Sequence, residues 1–450
     1  MKCIEDEIPF ELPEGWEWCR VRDIAAVKGG KRLPKGVGFS PCRTAHAYIR
    51  VTDMKNHCIN TDDLKYISEE VFLQIKNYTI SKDDLYVTIA GTIGVTGEVP
   101  TELDGMNLTE NAVKITNIQI NKNYLCLIIQ SEFVQQQFQD KTHQVAMPKL
   151  ALERILSTLI PVCTITTQSA MVSKFVEMDS LINQIREEKE ILAETVSLTK
   201  SKILDLAIRG KLVPQNPDDE PASVLLERIR AEKEELIKAG KIKRDKKESV
   251  IFKGDDNSYY LRTGGVEESL ENWRFDDLPE TWKICCLGEL CDYGDCINVN
   301  TEDIAEDAWI LDLEDIEKDT GMVLKKVTKA QRNSVSTKHK FHSGQVLYSK
   351  LRPYLNKVVL SDADGYCTSE ILPLEFKNCV LPEYARYYLM SGTFITYANH
   401  CSYGVKMPRL GTTDGKKAIF SLPPLSEQKC IVETIDFCFM QLNKISEALA

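Results

Sequence analysis

Apolar residues recur every seven positions along two segments of the chain. The first, residues 168–209, contains no Gly or Pro. Its two seam positions hold Phe175, Ile182, Lys189, Val196 and Ile203, and Met178, Ile185, Leu192, Thr199 and Leu206. The second, residues 426–450, repeats the pattern with Ile431, Cys438 and Ile445, and Ile435, Leu442 and Leu449. Such heptads predict coiled-coil helices. Two matching seams in one chain most simply pair with each other, antiparallel if each helix bridges two modules; alternatively, each stripe packs on its own domain.

The rest of the chain has the shorter periods of a mixed α and β protein. Residues 85–89 and 345–349 are β-rich runs between turn-forming clusters, which predicts strands. Residues 124–138 and 382–397 predict a helical segment late in each of two regions. The expected fold class is therefore α+β.

An internal repeat relates these two regions. Leu-Pro-Glu-Gly-Trp at residues 12–16 returns as Leu-Pro-Glu-Thr-Trp at 278–282, and Val-Ala-Met-Pro-Lys-Leu at 145–150 returns as Val-Lys-Met-Pro-Arg-Leu at 405–410. Looser echoes link residues 48–54 to 309–316 and 159–161 to 422–424. The offset stays between roughly 260 and 266 residues, which indicates duplication of a whole domain.

These patterns predict five regions. They are a first recognition module (1–164), a long helix (165–212), a short helix with a charged linker (213–270), a second module (271–425) and a shorter second helix (426–450). The short helix is expected to run from Pro221 to Gly240, by the preference for Pro at helix starts and Gly at helix ends. It is either a partner-docking element or a solvated helix. The basic run at 241–249 is expected to be a mobile linker.

The distribution of charge bears on function, because a chain with a net charge of −11 contains two windows without acidic residues. Residues 24–52 and 320–361 contain no Asp or Glu but many Lys and Arg residues. Segregated basic side chains in an acidic protein favour contact with nucleic-acid phosphates. The alternative is an ordinary solvated surface.

Signs of other chemistry are weak. No charged leader or long apolar run is present, so a cytoplasmic protein without membrane contact is expected. Of the 15 cysteines, Cys285, Cys286, Cys291 and Cys296 come closest to a metal-ligand cluster. Buried, reduced thiols in the protein core explain them better than a metal site. Neither nucleotide-binding nor nucleophile motifs occur, and the glycine-rich run at 91–97 is expected to be a turn.

Residues 204–246, with the openings LPEGW and LPETW and the stretches YIRVTDM and LYSKLRPYLNKV, resemble specificity subunits of type I restriction-modification systems. The resemblance implies two target recognition domains, each reading half of a split double-stranded DNA site. It also implies helices that bind methyltransferase subunits, expected to be two, and endonuclease/translocase subunits in the full complex. This chain would hold no cofactor, while S-adenosylmethionine, ATP and Mg²⁺ would belong to its partners. One departure is the second helix, about 38 Å long against about 60 Å for the first at about 1.5 Å per residue.

Two sets of site residues follow from the windows, the seams and the resemblance. Predicted DNA contacts are Lys31, Arg32, Lys35, Arg50, Thr92, Lys149, Lys325, Lys326, Lys329, Arg332, Lys350, Arg352, Tyr354, Lys406 and Arg409. Predicted partner contacts are Phe175, Ile182, Ile185, Leu192, Val196, Ile203, Ile435 and Leu442. Arg352 is the leading candidate for base reading, since the following Pro353 stiffens its loop and its planar fork suits guanine.

Two rival classes remain open. A restriction enzyme fused to its recognition domains would need nuclease or methyltransferase motifs, which are not seen. A non-enzymatic coiled-coil scaffold would explain the heptads but not the basic windows.

Overall fold

A computed structural model describes residues 7–140, 149–241, 249–256, 258–270, 278–332 and 335–449. The chain forms two compact units, Met1–Arg186 and Glu187–Ala450, whose boundary falls inside one long helix. Each unit contains one copy of the sequence repeat. Within the described residues no helix is both long and apolar enough to cross a membrane.

The first unit contains twelve short strands among its described residues. They are β1 (Glu17–Arg20), β2 (Ala26–Gly29), β3 (His46–Ile49), β4 (Met54–Lys55), β5 (Cys58–Ile59), β6 (Lys65–Ile67), β7 (Thr79–Ile80), β8 (Leu85–Thr88), β9 (Thr96–Glu98), β10 (Met106–Leu108), β11 (Ala112–Thr116) and β12 (Leu159–Val162). The helices are α1 (Val21–Ile24), α2 (Glu69–Ile75), α3 (Lys122–Gln130), α4 (Glu132–Asp140), α5 (Leu152–Leu156) and the long α6 (Ile165–Ala207), which crosses the unit boundary.

Two four-stranded sheets carry the first module. Their orders are β6-β3-β10-β7, in which β3 and β10 are parallel, and β2-β11-β8-β9. The antiparallel pair β1-β12 joins the two ends of the module. The inner faces of the second sheet and of α3 and α4 share one apolar core, which includes Val87, Val113, Leu125 and Phe138.

The second unit repeats this plan after an additional helix and sheet. Its strands are β13 (Ser249–Lys253), β14 (Tyr259–Thr263), β15 (Val266–Ser269), β16 (Lys283–Cys286), β17 (Ile297–Val299), β18 (Trp309–Leu311), β19 (Val327–Thr328), β20 (Lys338–Phe341), β21 (Val346–Ser349), β22 (Val358–Leu360), β23 (Gly365–Thr368), β24 (Ile371–Leu374) and β25 (Ile419–Leu422). Its helices are α7 (Ala222–Lys238), α8 (Leu287–Leu290), α9 (Pro382–Leu389), α10 (Gly392–His400), α11 (Thr412–Lys417) and α12 (Leu425–Leu449).

Sheet pairing in the second unit matches that of the first. The antiparallel pair β16-β25 corresponds to β1-β12, and β18 runs parallel to β23 as β3 does to β10. The remaining sheet orders are β17-β20-β23-β18-β19, β22-β21-β24 and β13-β14-β15. The duplication predicted from sequence is therefore a duplication of fold.

Side-chain hydrogen bonds repeat as faithfully as the strands. Tyr124 donates to the Pro161 carbonyl and Tyr384 to the Ser421 carbonyl, both at 3.0 Å. Gln168 and Gln428, each fully buried, both accept from a backbone N–H that precedes a helix and donate to backbone carbonyls. Buried amides are costly when unpaired, so these positions fix the junction between each module and its long helix.

Two features differ from the sequence-based predictions. The helical segments expected at 124–138 and 382–397 are each two helices, because Ser131 and Ser391 accept from the N–H groups of Val134 and Phe394 and so start a second helix. N-terminal capping by serine accounts for both breaks.

The region predicted as a charged linker contains an ordered sheet. Strands β13, β14 and β15 form an antiparallel meander, and Ile251 and Leu261 pack with Ile284, Cys286 and Ile419 of the second module. Most of the basic run at 241–249 lies outside the described residues. Helix α7 ends before Gly240, whose φ is +68°, as the capping argument predicted.

The two seam helices pair within the second unit. Lys200 of α6 donates to Asn443 of α12 at 2.6 Å, and Leu204 shares a core with Ile431 and Ile435. Since later residues of α6 meet earlier residues of α12, the pairing is antiparallel, the orientation expected if each helix bridges two modules.

Candidate nucleic-acid interface

Each module has one tight turn that follows its central buried strand. In the first module the turn joins β8 to β9, and Gly91 and Gly94 have φ of +82° and +88°. In the second it joins β21 to β22, and Arg352 and Asn356 have φ of +51° and +49°. Left-handed backbone costs an L-residue roughly 1–2 kcal/mol and costs glycine little. The equivalent turn is thus made with two glycines in the first module, whereas the second module, whose left-handed positions lie one residue further apart, places Arg352 against a steric penalty.

The repeated Met-Pro-Lys/Arg-Leu landmark holds this turn in place. The Leu150 N–H donates to the Ile89 carbonyl at 2.9 Å, and the Leu410 N–H donates to the Lys350 carbonyl at 3.0 Å. In the second module the Arg352 N–H also donates to the Pro408 carbonyl at 2.7 Å. Residues 145–148 of the first copy lie outside the described part of the chain.

A glutamate at the same place in each module anchors a basic side chain. Glu110 accepts from the Arg32 Nε at 2.6 Å, while Glu370 accepts from Arg409, with a shortest distance of 2.7 Å. Partial burial of Glu110 opposes its ionisation, yet hydrogen bonds led by that from Arg32 keep its pKa below the usual value. Lys149, which occupies the place of Arg409, donates instead to the Glu110 carbonyl at 3.3 Å.

The first basic window divides into exposed and paired residues. Lys31 and Lys35 are exposed, with the Lys31 ammonium 5.3 Å from the Tyr78 ring centroid. Arg50 instead pairs with Asp53 at 2.6 Å inside a capping turn. Thr92 is exposed on the glycine turn. The DNA contacts predicted for these residues remain predictions, and the ion pair gives Arg50 a structural task of its own.

The second basic window divides in the same way. Four of its predicted DNA contacts pair with carboxylates of the same module. These pairs are Lys325 with Asp315, Lys326 with Asp362, Lys329 with Glu306, and Arg332 with Asp312, Glu314 and Asp315. The Arg332 side chain is only 12% exposed and its partner Asp315 is fully buried. Ionic pairing within the module accounts for this half of the window without DNA.

Two other residues of this window, Lys350 and Arg352, are half-buried, and Lys406, which follows the window, is exposed. Among the described residues no carboxylate lies within ion-pair distance of Lys350, Arg352 or Lys406, although the chain as a whole is acidic. Arg352 contacts the Lys406 carbonyl through Nη2 at 3.5 Å, and its Nε is buried without a partner. Tyr354 is half exposed at the apex of the turn. These four residues form the best-placed cationic surface of the second module.

Sequence reasoning missed the apolar tip beside this surface. The tip is defined here as residues 403–409, with exposed side chains at Tyr403, Val405 and Met407. The sequence did mark this segment, since residues 405–410 are the second copy of the repeated Met-Pro-Lys/Arg-Leu landmark. The anchoring roles of Glu110 and Glu370 were also missed, because each lies outside the basic windows in which contacts were sought.

The predicted partner contacts fall into two groups. Phe175, Ile182, Ile185 and Leu192 are 40–57% exposed on α6. Val196 and Ile435 are buried, Ile203 packs against the core of the second unit, and Leu442 is half-buried. Packing within the chain accounts for the apolar character of the second group, whereas the first group has no such explanation among the described residues.

The four grouped cysteines are part of the apolar interior, as predicted. Cys285, Cys286 and Cys291 are buried, and Cys296 packs against the same core. Burial raises the pKa of the Cys285 thiol well above its usual value. Among the described residues no group of three or more His, Cys, Asp or Glu side chains is arranged to hold a metal ion.

Comparison with known families identifies this architecture. The type I restriction modification DNA specificity domain matches residues 13–194 and again residues 279–448. Because the two matches cover more than half of the chain, the protein belongs to this family: it is a DNA-specificity subunit of a type I restriction-modification system with two target recognition domains. The coiled-coil scaffold is therefore not favoured.

Individual relatives agree with the family. The chain is 25% identical to the EcoAI type I restriction enzyme specificity subunit of Escherichia coli, over 98% of this chain and 80% of the relative. It is 30% identical to the EcoBI specificity subunit of the same species, over 51% of this chain and 50% of that one.

Two solved structures share the fold at 16% identity. One comes from work on assembly and conformational transition of the type I R-M system, with a TM-score of 0.57 over 98% of this chain and 94% of that one. The other is the HsdS subunit from Thermoanaerobacter tengcongensis, with a TM-score of 0.51 over 99% and 94%. The α+β class with two repeated domains and long helices is confirmed.

Proposed function

We propose that each module reads one half of a split double-stranded DNA site and that the chain itself catalyses no reaction. It directs methyltransferase subunits, two per chain, and endonuclease/translocase subunits to that site. S-adenosylmethionine, ATP and Mg²⁺ are held by those partners. The methyltransferases flip one adenine of each half-site out of the duplex and methylate it.

One observation carries this proposal: the two modules share a scaffold but present different side chains from it. The turn that has a glycine at Gly91 has an arginine at Arg352. The equivalent glutamates, Glu110 and Glu370, pair with arginines from different parts of the two modules, Arg32 and Arg409. A common frame with different exposed groups is what two half-sites of different sequence require.

The basic side chains that have no ion-pair partner among the described residues have separate tasks. Lys31 and Lys35 in the first module, and Lys350 and Lys406 in the second, neutralise phosphates and set the position of each module on the duplex. Arg352 donates two hydrogen bonds to a guanine edge in the major groove. Its left-handed backbone supports this role, because residues held against a steric penalty concentrate at functional sites.

Exchange of one module tests the division of labour. Residues 1–161 are replaced by the corresponding part of a relative, and the methylated sequence is read by methylome sequencing. One half of the recognised site is expected to change while the other stays the same. A change in both halves, or in neither, would contradict independent reading. The reciprocal exchange of residues 278–424 serves as the matched control and should change only the other half.

A further inference from the structure

The tip of the second module is a small loop closed by backbone hydrogen bonds, with apolar side chains exposed to solvent. The Tyr403 N–H donates to the Arg409 carbonyl at 3.1 Å, and the Arg409 N–H donates back to the Tyr403 carbonyl at 3.0 Å, which closes the loop. Gly404, at φ +99°, makes the reversal possible. At the apex, the Val405 side chain is as exposed as it can be, and Met407 is nearly half exposed.

The Arg409 guanidinium group holds the backbone of the tip from the inside, and the Arg352 guanidinium group lies next to it. The Arg409 Nη1 donates to the Met407 carbonyl at 3.0 Å, and the Arg352 Nη2 lies 3.5 Å from the Lys406 carbonyl. Arg409 is itself fixed by Glu370. With the carbonyls turned inward, the side chains of residues 405–407 face outward. The tip is therefore ordered before any partner arrives, which lowers the entropic cost of binding.

Charge indicates what the tip meets. Lys406 lies between the two apolar side chains, and neither it nor Arg352 has a carboxylate within ion-pair distance among the described residues. A tip with one valine and one methionine is also far smaller than the roughly 800 Å² that each partner contributes to a stable protein interface. Unpaired cations around a narrow projection instead fit a groove of duplex DNA.

We propose that Val405 and Met407 contact the methyl group of thymine in the half-site bound by the second module, so that the tip determines specificity at one base pair. This inference rests on the proposed DNA binding by that module. In the major groove, the thymine methyl is the apolar group that a side chain reaches while the bases stay stacked. The short, branched side chain of Val405 suits such a contact, whereas long side chains are needed to separate stacked bases.

Removal of the methyl group tests this contact directly. In the methyltransferase complex assembled with this chain, each thymine of the second half-site is replaced singly by deoxyuridine, and the Kd is measured by competition at constant salt. At least one thymine is present, because it pairs with the adenine that is methylated. The wild-type complex is expected to lose about three- to fivefold in affinity at one position, the value for one buried methyl group.

Variants assign the effect to the tip. Val405→Ala is expected to bind the thymine duplex about three- to fivefold more weakly and no longer to distinguish thymine from uracil there. Val266→Ala, a matched control at an exposed valine of β15 next to Glu267, should behave as wild type. Both substitutions remove exposed methyl groups, so folding is preserved, and equal thermal unfolding curves check this.

The outcomes separate this inference from the proposed function. If the wild-type complex prefers its cognate duplex but binds every uracil-substituted duplex equally well, the thymine contact is wrong and the proposed function stands. The same conclusion follows if Val405→Ala retains full discrimination against uracil. If the wild-type complex shows no preference for a cognate second half-site, the proposed function itself fails.

Discussion

The turn after the central strand of each module shows how one scaffold carries two different surfaces. In the first module Gly91 and Gly94 satisfy the two left-handed positions. In the second, Asn356 satisfies one with a residue type that tolerates this conformation, but Arg352 satisfies the other with a residue type that does not. Both modules require a left-handed backbone at this position, whereas the side chain placed there differs between them. An unfavourable backbone conformation therefore marks a residue that the fold alone would not have selected.

The largest difference in the free energy of unfolding should come from Asp53 and Asp315, the buried aspartates of the capping turns at Val51–Asp53 and Leu313–Asp315. Asp315→Ala is expected to destabilise the second unit by about 3–5 kcal/mol, because it leaves the nearly buried Arg332 with fewer counter-charges. Asp53→Ala should cost less, since Arg50 is more exposed and still reaches Asp63. Urea unfolding monitored by fluorescence measures both.

Asp362→Ala is the matched control, because its ion pair with Lys326 is largely exposed. It should change the free energy of unfolding by at most about 1 kcal/mol. Equal losses for Asp315→Ala and Asp362→Ala would show that the buried network is not what orders the second basic window.

Arg352→Gly places a glycine in the second module at the position equivalent to Gly91. Affinity for the cognate duplex is expected to fall by about 1–3 kcal/mol, with relaxed preference at one position, while the free energy of unfolding does not decrease. Competition binding on singly substituted duplexes measures the preference. The mirror change, Gly91→Ala, meets no atom within 4 Å and should leave DNA preference unchanged while costing roughly 1–2 kcal/mol of stability. Unaltered binding by Arg352→Gly would mean that the arginine does not read a base.

Paired and unpaired lysines of the second module should differ in their dependence on salt. Lys406→Ala is expected to lower the slope of log K against log salt by about one unit, on cognate and unrelated duplexes alike. Lys326→Ala should lower it by less, because Asp362 already neutralises that side chain. A salt series with both variants provides the test. Identical slopes would remove the distinction between paired and unpaired lysines of the second module.

The smallest expected effect is a symmetrical one. Tyr124→Phe and Tyr384→Phe each remove one hydrogen bond to the last strand of a module, worth about 1 kcal/mol. The two losses should agree within experimental error in chemical denaturation. A clear difference would show that equivalent bonds contribute unequally to the two copies.

Local signals in the sequence predicted most of the architecture. The heptads predicted α6 and α12, short β-rich runs between turn-forming clusters predicted β8 and β21, and repeated landmarks predicted the duplication. The meander at 249–269 was missed, because its strands follow a strongly basic run. Its stability comes from packing on Ile284 and Ile419, which a local pattern does not contain.

The candidate site was less predictable for the same physical reason. Lys326 and Lys350 look alike in the sequence, yet Asp362 neutralises only the first. Glu306 and Glu370 are likewise distant along the chain from Lys329 and Arg409, the side chains that they fix. Ion pairing depends on the tertiary fold, so charge counting found the basic windows but not which of their side chains are free.

The buried glutamine that opens each long helix has a consequence for how such genes rearrange. Gln168 and Gln428 lie about 260 residues apart and make equivalent hydrogen bonds to the bodies of their modules. An unequal crossover at these codons would join the body of one module to the helix that follows the other and restore each of those bonds. Recombination at this joint can therefore exchange or delete whole recognition modules without leaving a buried polar group unpaired.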